Sequence, residues 1–141
     1  MPWLPVFGLP VIWLGVGVLL APVAAADVGT AATPYIDRAQ WAQYGGLSSL
    51  RVYPTAAGRA VAGDFGKTEA ATEQAWREVL ALAAGADTAG MRDQFVCHWN
   101  FAEFAEPGKT SWDLEPWRPA VTDSTMVLAG CNPGGAEEQF G

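Results

Sequence analysis

The sequence predicts a small, single α+β domain: an N-terminal β-hairpin packed on two main helices, a short C-terminal helix and one disulfide. Three observations carry that prediction. Alternating segments flank Gly45-Gly46, as in a hairpin. Two later segments repeat apolar residues at helical spacing. The chain has two cysteines, Cys97 and Cys131, and a single bond between them ties its last third together.

The elements follow in order. Residues 35–41 read as a first strand and 47–54 as a second, with Leu50, Val52 and Pro54 alternating. Residues 55–66 are rich in small side chains and read as one loose helical turn and a loop. The clearest helix spans 68–84. Thr68 caps it, and Trp76, Val79, Leu80 and Ala83 form one stripe. Gly85 marks its end. A second helix spans 91–105, where Met91, Phe95, His98, Ala102 and Ala105 share a face. Pro116 and Pro119 forbid a continuous helix over 109–119, which reads as an extended aromatic loop. Thr122 or Asp123 then caps a short helix leading to Cys131.

Composition narrows the function classes. Fifteen acidic residues against eight basic ones give a net charge of −7. Nucleic acids and anionic lipids are bound by clustered Lys and Arg, and no basic run occurs, so nucleic acid is excluded as a partner. No phosphate loop, dinucleotide fingerprint or calcium loop is present, and no cofactor is expected. No metal is expected either, because a zinc site needs four ligands and the chain offers two Cys and one His.

Residues 1–26 carry no charged side chain. The apolar run 11–20 precedes Ala21-Pro22-Val23-Ala24-Ala25-Ala26, a small-x-small cleavage pattern. This reads as a signal peptide that sends the chain out of the cytoplasm, to the medium or the cell envelope. Contact with a membrane is expected only through an uncleaved leader. Residues 27–34 read as a flexible lead-in, 35–133 as the domain, and 134–141 as a loose acidic tail. In an oxidising compartment, two cysteines in one domain pair.

Candidate functional residues cluster in the second half. His98 is the only histidine, so any imidazole chemistry rests on it. It is either a satisfied core residue or a general acid/base or ligand contact in a pocket. Asp113 and Glu115, two apart, share one side of an extended segment. They can divide acid and base roles, or cap helices and pair with Arg118. Arg118 can stack on Trp117 as an anchor, or bind an anionic ligand group. Trp112, Trp117 and Trp99 can form a platform for a sugar or peptide, or fill the core.

The blocks Cys97-His98-Trp99, Ser111-Trp112-Asp113-Leu114-Glu115-Pro116-Trp117-Arg118-Pro119 and Cys131-Asn132-Pro133 carry a resemblance. Over residues 35–133 the chain resembles the exported proteins, many actinobacterial, grouped as domain of unknown function 2599. That family usually has Asn where this chain has Asp113. The resemblance implies export and a single domain, and it implies no activity. The expected function is a secreted, monomeric, non-enzymatic domain that binds an envelope polymer, peptide or protein. The alternative is a small secreted hydrolase that uses His98 with a nearby carboxylate.

Overall fold

The computed structural model describes residues 32–136, and residues 1–3, 8, 10, 12, 15 and 17 of the leader. Residues 1–31 and residues 32–141 are separate units. The expected cleavage region, the first part of the lead-in and the end of the acidic tail lie outside the described residues. Among the described residues no helix is long and apolar enough to cross a membrane.

The fold is α+β. Strands β1 (Ile36–Tyr44) and β2 (Leu47–Pro54) form the expected hairpin. Tyr44 pairs with Leu47, so Gly45-Gly46 is a two-residue loop. Both glycines have positive φ, 54° and 83°, as such a turn demands. Helix α1 (Ala56–Ala62) follows, then α2 (Glu69–Leu82), a 3-10 turn, α3 (Ala89–Ala105), β3 (Trp112–Leu114) and α4 (Asp123–Leu128).

Two segments depart from the sequence expectation. The aromatic loop contains β3, which pairs antiparallel with β2 and completes a three-stranded sheet in the order β1-β2-β3. A three-residue strand next to prolines is too short to show a period. Its partner, the second edge of β2, lies about sixty residues earlier in the chain. The expected single helical turn is a longer helix, α1, of seven residues. Its Ala-rich sequence lacks a large apolar stripe but has good helix propensity. It can lie close against the start of the domain because of Gly58, where an added Cβ would sit 2.1 Å from the Tyr35 carbonyl oxygen.

Threonine starts every α-helix among the described residues. The hydroxyls of Thr55, Thr68, Thr88 and Thr122 accept from the backbone N–H of Gly58, Ala71, Met91 and Thr125. Helix α4 ends in a Schellman motif. Cys131 N–H donates to Met126 C=O at 3.0 Å, and Gly130 N–H to Val127 C=O at 3.0 Å, with Gly130 at φ 60°.

Period two divides the sheet. Leu50, Val52, Trp112 and Leu114 point into the core, where α2 contributes Trp76 and Val79, and α3 contributes Met91, Phe95 and Trp99. Phe95, Trp99 and Trp112 meet at centroid distances near 6 Å, the last two edge to face. The stripe expected on α2 is buried except at the half-buried Leu80. On α3, Ala105 is exposed, whereas Gln94 and Trp99 are buried. The other face of the sheet carries Ser49 and Arg51 on β2, opposite the acidic residues at β3. A second, smaller core holds Cys97, Met126 and Cys131, with Val121 against it. Their sulfurs are bonded, with Cα atoms 5.5 Å apart.

Candidate functional site

Helix α3 presents two faces. One fills the main core. The other, carrying Cys97, His98 and Phe101, turns toward α4. The disulfide and the Schellman turn fix α4 and the residues after it as the opposing wall. Between them lies an open cavity of about 570 Å³. Its α3 wall is Cys97, His98, Phe101, Ala102, Phe104 and Ala105. Val127, Gly130, Cys131 and Asn132 face it, and Glu106 and Lys109 complete the lining. Those last two form an ion pair at 3.3 Å. The volume falls in the range of small-molecule sites, and the walls are mostly apolar, as such sites usually are. A hollow of about 450 Å³ on the other side shares Cys97, Phe101 and Val127, but is lined by Arg92, Asp93, Asn100 and Asp123.

His98 is only 3% exposed. Its ring hydrogen-bonds to the backbone of Asp113. The ring's Nε2 is buried without a hydrogen-bond partner. With Nε2 sealed from water, the bond to the Asp113 backbone falls to Nδ1. Burial, first, and the Lys109 ammonium, second, push the imidazole pKa down from 6.5 to about 4. At neutral pH His98 is an uncharged acceptor. Asn132 adds another: its Nδ2 donates to Gly130 C=O at 2.9 Å, and its Oδ1 is buried without a partner.

The pKa of His98 has a consequence for stability. A histidine held below its unfolded pKa binds fewer protons folded than unfolded between pH 4 and 6.5. Stability is full above pH 6.5 and falls as pH drops through that window, by up to about 3 kcal/mol. Asp113 acts in the opposite sense. Burial raises its pKa, so protonation at low pH favours the folded state. Subtracting the stability profile of His98→Gln from that of the native chain isolates the imidazole. A difference that grows steadily from pH 4 to 6.5 is expected, and a flat one would remove the buried neutral ring.

The other predicted site residues assemble elsewhere, around β3. Glu115 is 1% exposed. Its carboxylate accepts from Arg118 Nε at 2.6 Å and from Ser49 Oγ at 3.2 Å. Arg118 Nη1 also donates to the carbonyls of Pro133, at 3.1 Å, and Gly135, at 2.7 Å. Its guanidinium lies 4.5 Å from the Trp117 ring centre. Arg118 thus anchors the segment after the disulfide. Asp113 accepts from Ser111 Oγ at 2.7 Å and lies 3.8 Å from Arg51. The two carboxylates share one side of the strand, as their spacing predicts, and both are engaged by neighbours. Trp112, like Trp99, is fully buried and is excluded from any surface platform. Trp117 is half-buried beneath Arg118.

Sequence reasoning brought His98 to the cavity but missed most of its walls. Phe101, Phe104, Lys109, Val127 and Asn132 carry no motif. Gln94 was also missed, although it interrupts the stripe between Met91 and His98. Its amide clamps Glu115, donating to the backbone carbonyl and accepting from the N–H, both at 2.9 Å. Among the described residues no group of three or more His, Cys, Asp or Glu is placed to hold a metal ion.

Comparison with known proteins agrees with the extent of this unit. A family described as "Protein of unknown function (DUF2599)" matches residues 36–134. Uncharacterized proteins of Mycobacterium bovis and Mycobacterium tuberculosis are 58% identical over 105 residues, covering 74% of this chain and 70% of theirs. One from Mycobacterium leprae is 46% identical over 104 residues, covering 74% of this chain and 83% of its own. No solved structure matches. The matched span holds the whole sheet, all four α-helices and both cysteines, and on that basis the chain belongs to the DUF2599 family.

Proposed function

We propose that this is an extracytoplasmic, non-enzymatic binding domain that holds a small, largely apolar component of the cell envelope or its surroundings between α3 and α4. One observation carries the reading: the disulfide holds α4 against α3 around an open cavity of about 570 Å³ with mostly apolar walls, the size and character of a small-molecule site. The disulfide supports an oxidising location.

The chemistry of the cavity favours binding over hydrolysis. A base works best with a pKa near the working pH, and that of His98 is near 4. A hydrolytic imidazole also needs an orienting carboxylate or a nucleophile beside it. Here Asp113 meets the ring through its backbone. Glu115 is held by Arg118, and Glu103 by Arg59 at 2.5 Å.

Titration with N-phenyl-1-naphthylamine, an uncharged apolar fluorescent probe, tests the reading. Val127 lines the cavity and is 46% exposed, so Val127→Trp fills the mouth without entering the core. The native domain should bind the probe, and the variant should bind it about tenfold or more weakly. Equal binding by both would rule out the cavity as the seat.

A further inference from the structure

We infer that two copies of this chain join through the outer edge of β1, antiparallel and two-fold symmetric about Trp41, into one continuous sheet. This pair takes the place of the monomer expected from the sequence, and it is independent of the cavity between α3 and α4.

A sheet edge is a row of backbone N–H and C=O groups that need partners. At the β3 edge, side chains of α3 supply them. His98 bonds to the Asp113 backbone, and the Gln94 amide bonds both the C=O and the N–H of Glu115. At the opposite edge, the Glu78 carboxylate accepts from the N–H groups of Tyr35 and Ile36, where β1 begins. Past that point, no strand pairs with the outer side of β1 among the described residues. Tyr44 and Leu47 flank a two-residue turn, so they form a hydrogen-bonded pair, as do Ala42 with Ser49 and Gln40 with Arg51. The backbone N–H and C=O groups of Ala39, Trp41 and Gln43 therefore point outward.

Charge selects the occupant. Edge strands are commonly guarded by charges or proline. Asp37 and Arg38 guard only the first part of β1, and residues 39–50 contain no charged residue and no proline. The chain as a whole carries −7, which keeps copies apart wherever its acidic surface is presented. Two copies can meet through this neutral stretch, whereas a cationic partner finds no carboxylate in it. With the axis at Trp41, Ala39 lies opposite Gln43 of the other copy, and no like charges face each other. An axis at Asp37 or Arg38 would set each charge against itself. Trp41 is 45% exposed, and the pairing brings the two indoles side by side at the axis.

Sedimentation velocity of the full chain over a range of concentrations tests the pairing. A sheet-edge contact is small, so a dissociation constant of about 10–100 μM is expected. Trp41→Lys and Trp41→Glu each set a charge against its own copy, so each variant should remain monomeric. An equimolar mixture of the two should dimerise. Hydrogen exchange of the native chain, followed by NMR, reads the same edge without a substitution. The amides of Ala39, Trp41 and Gln43 should slow about fivefold as the monomer fraction falls. A native chain that stays monomeric, a dimer that survives both substitutions, or exchange at those amides that ignores concentration would overturn the inference. A mixture that stays monomeric would overturn the axis at Trp41.

Discussion

Replacing Arg118 by methionine should destabilise the domain by about 3–5 kcal/mol, the typical cost of stranding one partner of a buried ion pair. The substitution leaves the Glu115 carboxylate, 1% exposed, with Ser49 Oγ as its remaining side-chain donor. It also removes the donors to the Pro133 and Gly135 carbonyls. The penalty belongs to the uncompensated charge more than to the lost attraction. The double variant Glu115→Leu with Arg118→Met should therefore recover much of the loss, as replacement of buried pairs by apolar residues often does. Urea unfolding of both variants measures this. A loss below about 1 kcal/mol for Arg118→Met would mean that water reaches Glu115.

Removing the disulfide should have a similar cost. The bond links residues 34 apart in sequence, and constraining the unfolded chain over that length is worth about 3–4 kcal/mol. For a domain of this size the melting temperature should fall by about 15–25 °C in Cys97→Ala with Cys131→Ala. The effect should also be local. Helix α4 itself packs on α3 through a small core of Cys97, Met126 and Cys131, while Arg118 holds only the segment that follows it. Probe binding in the cavity should be lost at temperatures where the sheet, followed by circular dichroism, is still folded. If cavity and sheet are lost together, α4 is part of the main cooperative unit.

The parts of the fold that were legible in the sequence are those with long periods. The hairpin announced itself through Gly45-Gly46 and alternation, and α2 and α3 through stripes of large apolar residues. Strand β3 was hidden because three residues carry no period and its partner is distant in sequence. The extent of helix α1 was hidden because alanine and glycine mark no face. Residue identity alone left Arg118 ambiguous between anchor and ligand contact, since a guanidinium suits both, and only the positions of Glu115 and the Pro133 carbonyl separate them. The cavity was legible at one point, His98. Its other walls come from α4 and the turn after it, which the disulfide brings back to α3. Common side chains such as Val127 and Asn132 become site residues only through that closure.

Because the chain contains a single histidine, a long-range proton–nitrogen NMR spectrum of the labelled protein shows one imidazole. It should be uncharged at neutral pH, with its resonances displaced when the apolar probe is added and undisturbed when the probe is added to Val127→Trp. An imidazole that titrates near pH 6.5, or whose resonances ignore the probe in the native chain, would contradict the assignment of this cavity as the binding seat.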